Sequence, residues 1–394
     1  MPQLLTVERT DFMIELPVDM ILSANGVQVF SAGKRPVKRL AKDNGSTGEG
    51  LNSSAFNAQT VQKLVMNGYV EEINTRLAEM LRSRAQIIDT TKLVTFGLLY
   101  KKMNPSLAEM MLQSPVMLAY NRKNAQNPIH SIDHINKDKA NQLKQTKAEA
   151  FEVMALEIRD LTVQRIIANQ ELQEEDRLMQ IRSLEKFISF IDDRIWYLYY
   201  IIYQTPLKDE VMSFFAELID KYLDRTRIAT NLSLVLMELI QNAEKAHFDQ
   251  LLIENKLIKD PKDSHRFLRQ PQNRKLVVEL AKSRNQTLRA SWQFHSGRAG
   301  ANLEYRLEIL ITNRGDISPM IEKQLAMKMS SDTANADLSD FFQDKTDSGL
   351  GAGLGLMYMS YLKDDCQKAG VKFSSQIFGN SSGGTTTAKL QVLF

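Results

Sequence analysis

Residues 232–248 read L-S-L-V-L-M-E-L-I-Q-N-A-E-K-A-H-F, and the helix they form decides the class of the C-terminal part. At about 100° per residue, Leu232, Leu236, Leu239, Ile240 and Ala243 share one face, while Glu238, Asn242 and Lys245 stack on the other. One side packs and the other is left for chemistry. A carboxylate, an amide oxygen and an ammonium at i, i+4 and i+7 can accept a proton, ligate Mg²⁺ and neutralise phosphate. The same pattern also describes an ordinary amphipathic helix with a wet outer face. What accompanies it therefore matters.

Three further segments follow in order. Residues 307–316, L-E-I-L-I-T-N-R-G-D, read as an apolar strand delivering a short polar side chain, Asn313, two residues before Gly315. Residues 348–357, S-G-L-G-A-G-L-G-L-M, alternate Gly349, Gly351, Gly353 and Gly355 immediately before a helical run from Leu356 to Cys366. Glycines let backbone N–H groups approach phosphate oxygens, and the following helix N-terminus adds its positive dipole end. Residues 381–389, S-S-G-G-T-T-T-A-K, read as a glycine turn that delivers hydroxyls into a terminal strand.

In this order, over roughly residues 224–394, these segments resemble the nucleotide-binding boxes of the GHKL superfamily of gyrase, chaperone, histidine-kinase and mismatch-repair ATPases. G-A-G-L-G-L and G-G-T-T are most similar to the kinase branch. The resemblance implies a Bergerat-type α/β sandwich in which ATP lies between helices and one face of a mixed sheet, beneath a lid at 317–347. It makes Glu238 the acid that polarises a water or an acceptor hydroxyl, Asn242 the Mg²⁺ ligand and Lys245 a phosphate contact. It assigns Gly349, Gly351, Gly353, Gly355 and Leu356 to the phosphates, Gly315 to close passage beside the base, and Thr385 or Thr386 to the adenine side. Asn313 stands where the family usually has an aspartate that accepts a hydrogen bond from the adenine amino group. An asparagine oxygen accepts the same bond without its charge assistance.

A phosphoryl acceptor is harder to find. Histidine kinases carry an acceptor histidine five residues before a proline, and Thr205-Pro206-Leu207 resembles the end of that box, but the acceptor position is Ile201. Only 41 residues separate Ile201 from Asn242, too few for a second bundle helix and the entry into an ATP domain. The five histidines are His130, His134, His247, His265 and His295, and none sits in an acceptor box. His130 and His134 have the i, i+4 spacing of a metal pair but lack a partner motif, so they read as surface-helix residues. His247 reads as structural or as support for the site. The amphipathic helix 211–223 leads straight into the box helix, an arrangement similar to the anti-sigma serine kinases, which also lack an acceptor histidine.

Upstream, no glycine falls between Gly97 and Gly297, and no proline between Pro128 and Pro206, so a mainly helical stretch with at least one very long helix is expected. Leu184, Ile188, Ile191, Ile195, Leu198 and Ile202 recur at steps of three and four, the seam of a coiled coil or bundle. Phe187, Phe190, Tyr197 and Tyr199 widen that stripe toward intramolecular packing, with homodimerisation through the long helix as the alternative. At the start, Asn25-Gly26 between apolar runs predicts a tight hairpin, residues 42–54 a flexible loop, and 59–66 and 71–85 two helices, the first closed by Asn67-Gly68. The basic group Lys34, Arg35, Lys38, Arg39 and Lys42 reads as a solvated face.

The expected fold is therefore α+β: a small β-containing module at 1–57, a helical regulatory or dimerisation region at 58–207, and a Bergerat-type ATP-binding domain at 208–394. The 394 residues carry 50 Lys+Arg against 47 Asp+Glu, too even a balance for phosphate-driven nucleic-acid binding. One cysteine, Cys366, rules out an internal disulfide and fits a reducing cytoplasm. No secretory signal is visible, and the longest apolar run, nine residues at 195–203, is too short to span a membrane. The expected activity is Mg²⁺-ATP-dependent phosphoryl transfer to a partner protein. An ATP-driven conformational machine and a non-catalytic nucleotide sensor are the alternatives.

Overall fold

The computed structural model of the chain describes residues 12–42, 45–299, 302–315, 354–380 and 384–394. Its first elements are β1 (Met13–Ile14), β2 (Val18–Leu22), α1 (Ala24–Ala32), β3 (Lys38–Ala41), β4 (Thr47–Ser53), β5 (Phe56–Asn57), α2 (Ala58–Met66) and β6 (Val70–Leu77). A helical stretch follows: α3 (Arg84–Leu112), α4 (Pro115–Lys123), α5 (Lys137–Thr146), α6 (Ala148–Ala168), α7 (Glu174–Ser189), α8 (Asp193–Tyr203), α9 (Lys208–Asp224) and α10 (Thr226–Glu254). The chain ends with α11 (Ser264–Leu268), α12 (Pro271–Ser283), β7 (Leu288–Ala299), β8 (Asn302–Arg314), α13 (Leu354–Lys368), β9 (Lys372–Asn380) and β10 (Thr385–Leu393). The fold is α+β, as expected.

The division of the chain differs from the expected one. One compact unit contains Leu99–Arg227, and the other joins Arg9–Leu98 to Ile228–Phe394. The first strands do not form a module at 1–57. Among the described residues they enter an eight-stranded antiparallel sheet of order β3-β4-β2-β6-β7-β8-β10-β9. One row of paired residues runs across it: Leu51, Met20, Ile73, Trp292, Ile309 and Leu390. Of these, Met20, Ile73, Trp292, Ile309 and Leu390 are buried, so strands from both ends of the sequence share one apolar face. Trp292 is sealed in that face, and its indole N–H donates to Thr91 Oγ1 at 2.9 Å. The opposite face of β8 carries Glu308, held by Lys389 at 2.8 Å and Arg306 at 3.1 Å.

Several local expectations are overturned for identifiable reasons. Asn25-Gly26 is not a hairpin turn but lies in the first turn of α1, capped by the Ser23 hydroxyl, which accepts from Gly26 N at 3.1 Å. Gly26 is required by contact, since a Cβ there would sit 2.1 Å from the Tyr69 carbonyl oxygen. The loop expected at 42–54 contains β4, where Gly50 lets the Met20 carbonyl approach to 2.3 Å of where its Cβ would be. The helix expected over 71–85 is β6 followed by the start of α3. β6 lies between β2 and β7, and its Glu72, Asn74 and Thr75 are buried polar residues that hid the strand alternation. The helix ending at Asn67-Gly68 is as expected, with Gly68 at φ 69°.

In the helical unit, no single long helix spans 129–205. The stretch divides into α5, α6, α7 and α8, and the apolar seam crosses the break after α7. Asn104 holds that break open: its Nδ2 donates to Phe190 O at 3.0 Å and its Oδ1 accepts from Asp192 N at 2.9 Å. Asp192 then caps α8. Leu184, Ile191, Ile195, Leu198 and Ile202 are all buried, so the seam is used inside the chain, in a core where Tyr100 meets Phe187 and Phe215 meets Trp196 and Tyr199. His130 and His134 are not on a surface helix: residues 132–134 form a 3₁₀ turn, with His134 Nδ1 3.2 Å from Pro128 O. Among the described residues no helix is long and apolar enough to cross a membrane.

Candidate functional site

The box helix forms as α10, and its apolar face is buried through Leu232, Leu236, Ile240 and Ala243. Which way the other face points is decided by Asn231, whose side-chain amide donates to the Asp365 carboxylate on α13. Glu238, Asn242 and Lys245 follow Asn231 at +7, +11 and +14, within about 40° of it around the helix. The stripe therefore faces the side on which α13 lies. Glu238 is half-buried, and burial pushes its carboxyl pKa up. Asn242 and Lys245 are exposed.

The two helices run in opposite directions. Glu254, at the end of α10, bonds Arg314 at the end of β8 at 3.2 Å, so α10 runs with β8. α13 ends just before β9, which starts opposite Leu393 and hence at the Arg306 end of β8. Leu354 precedes Asp365 by as many residues as Asn242 follows Asn231, so the first turn of α13 comes level with Asn242. Gly355 and Leu356 lie in that turn, where backbone N–H groups have no partner within the helix. Gly349, Gly351 and Gly353 lie outside the described residues, as does the lid expected at 317–347.

The strand ends meet as well. β8 and β10 pair with Asn313 opposite Thr386 and Arg314 opposite Thr385. Beyond the ladder, Gly315 N donates to Gly384 O at 2.9 Å and Thr386 Oγ1 donates to Gly315 O at 2.6 Å. Gly315 takes φ 111°, a conformation that needs glycine, although a Cβ there would come no nearer than 3.9 Å to another atom. Its glycine thus serves the backbone turn. Asn313 is 6% exposed and shares a sheet face with Ile309 and Ile311. Its Nδ2 donates to Arg314 O at 2.8 Å, which leaves Oδ1 as the acceptor end of the amide.

One residue of the box helix, Glu244, carries structure that the sequence reading left unassigned. Glu244 is 1% exposed. Its Oε2 accepts from Met80 N at 2.6 Å and Leu81 N at 2.8 Å, and its Oε1 accepts from Arg274, which also reaches Glu79 at 2.6 Å. A signal was present: Glu244 falls on the packing face, beside Ile240 and Ala243. His247 is fully buried, with the Gln286 backbone beside its ring. Burial pushes its pKa down to about 4, so the ring is neutral at physiological pH.

Among the described residues no group of three or more His, Cys, Asp or Glu could hold a metal ion.

The chain belongs to the family of unknown function DUF8084, which matches residues 9–394. It is similar to an uncharacterized protein of Treponema pallidum (strain Nichols), 27% identical over 390 residues that cover 97% of this chain and 98% of that protein. No solved structure matches.

Proposed function

We propose that this protein binds Mg²⁺-ATP where α10, the first turn of α13 and the joined ends of β8 and β10 meet, and that it transfers the terminal phosphoryl group to a partner protein. The observation that carries the reading is the bond from Asn231 to Asp365, which turns the Glu238, Asn242 and Lys245 stripe toward the helix that follows the glycine run. The strand order β7-β8-β10-β9 with α10 and α13 supports a Bergerat-type sandwich. Asn242 would hold Mg²⁺, and Lys245, Gly355 and Leu356 would receive phosphates at the helix terminus. Bound Mg²⁺ supplies charge neutralisation on the transferring group. Asn313 Oδ1 accepts from the base, Thr386 fixes the turn beside it, and Glu238 accepts the proton of the attacking hydroxyl.

A second reading, hydrolysis that drives a conformational change, is favoured by the burial of His247, which removes the histidine on the box helix as a carrier. In that reading Glu238 accepts a proton from water. Incubation with γ-labelled ATP and Mg²⁺, alone and with proteins that co-purify, separates the two. Label on a protein side chain supports transfer, and released phosphate supports hydrolysis. Binding heat without either supports a sensor, and absence of binding heat overturns the nucleotide site.

A further inference from the structure

The two edges of the large sheet are built differently. β3, at one edge, is four residues long and carries Lys38 and Arg39, both exposed, which is how a natural sheet discourages further pairing. β9, at the other edge, is nine residues long, K-F-S-S-Q-I-F-G-N, and pairs with β10 over its whole length without a register shift. It has one charge, Lys372 at its first position, and no proline. Among the described residues nothing pairs with its outer side. One large aromatic residue stands exposed on this strand, Phe378, 39% exposed.

We propose that β9 is a self-association edge, at which two copies of this chain pair β9 with β9, antiparallel, about a two-fold axis through Gln376. The strand's own pattern selects a second copy as the occupant. Centred on Gln376, Phe373 meets Gly379 and Ser375 meets Ile377 on the helix-covered face, while Ser374 meets Phe378 on the open face. The side-chain alternation is kept across the axis, so the apolar faces of the two sheets become continuous. Lys372 meets Asn380, so no like charges are opposed. Phe378, the large apolar residue of the open face, gains the partner's Ser374 and the strand beyond it. Because the outward edges of the joined sheet are then both β3, with its charges, growth stops at two chains.

Sedimentation of the full chain tests the proposal first. A dimer of twice the 44.9 kDa chain mass at micromolar concentration is expected; a monomer throughout, or an open-ended series of larger species, overturns it. Register is tested by crosslinking. Gln376→Cys places the two new thiols opposite each other, and mild oxidation should link most chains, whereas Ser374→Cys faces Phe378 and should not link. Cys366 does not interfere, because it is buried and its thiol pKa is pushed up to about 12. Equal or reversed yields for the two variants overturn the pairing. Gln376→Glu sits beside Lys389 in its own chain but opposes its own copy at the axis, so it should weaken the dimer at least tenfold while leaving the thermal midpoint of the monomer unchanged. An unchanged dimer in that variant also overturns it.

Discussion

Asn231 on α10 and Asp365 on α13 are joined by a hydrogen bond from amide to carboxylate, although neither lies among the residues assigned to the nucleotide. Asp365 is 8% exposed, so the bond orients the two helices from a largely enclosed position. Asn231→Ala is expected to cost about 2 kcal/mol, the usual worth of a bond to a charged group. It should also weaken Mg²⁺-ATP binding several-fold, because the stripe loses its alignment with the first turn of α13. Calorimetry with and without the substitution reads this directly. Unchanged affinity would separate the helix pair from the site.

Glu238→Ala should abolish turnover while leaving ATP affinity within about threefold of the parent. Burial raises the Glu238 pKa above its ordinary 4.5, and in the proposed role the basic form is the active one. Activity should therefore fall, on acidification, at a pH above the usual carboxylate range. A pH–rate profile whose acidic limb sits at or below 4.5 would remove Glu238 from the role of base.

Asn242→Ala should lower affinity for ATP in Mg²⁺ by about tenfold, or ~1.4 kcal/mol, and leave affinity in EDTA nearly unchanged. Equal losses in both conditions would assign Asn242 to the nucleotide itself and not to the ion.

Glu244→Ala is expected to destabilise the protein by about 3–5 kcal/mol, because it strips a partner from Arg274 and leaves two backbone N–H groups without their acceptor. Glu244→Gln keeps an acceptor and should cost less. Urea midpoints at constant slope would read both, and a loss below 1 kcal/mol for the alanine variant would contradict the network.

Burial would raise the Asp192 carboxyl, but the hydrogen bonds and charge of Arg194, with Lys137 beyond, outweigh it and hold its pKa below the ordinary 3.8. Its contribution is therefore fully present above that value and is lost as pH falls through the lower, folded-state pKa. Asp192→Ala should cost about 1–2 kcal/mol at neutral pH through the lost cap and ion pair. The gap between the two proteins should close below pH 3.8. Thermal melts across that range check the sign.

How much could be read in advance varied with the chemistry of each segment. β8, β9 and β10 were legible because their β-branched and aromatic residues lie between turn signals, and α10 because its apolar face has a clean helical period. β6 was not, because a central strand that buries Glu72, Asn74 and Thr75 shows neither alternation nor an apolar run. The Asn25-Gly26 pair carries a strong local turn signal, yet Ser23 and the Tyr69 carbonyl recruit it into a helix. The seam from Leu184 to Ile202 runs through two helices because Asn104, far away in sequence, satisfies the backbone at the break. Within the candidate site, the motif residues were legible and their mutual register, Asn313 with Thr386, was not. Pairing between strands so far apart in sequence leaves no trace in composition.

The junction of β6 with β7 has a consequence for how the protein is made. β2, β4 and β6 leave the ribosome early, but the strand that completes their apolar row emerges only after all of Leu99–Arg227 has been synthesised. Until then β6 is a naked border, rich in hydrogen-bonding groups and backed by Ile73 and Met20. The helical insert can close on itself meanwhile, from local contacts. The nascent chain thus carries a locally folded piece beside a half-built sheet, and that interim border is where wrong strand pairing competes with the native one.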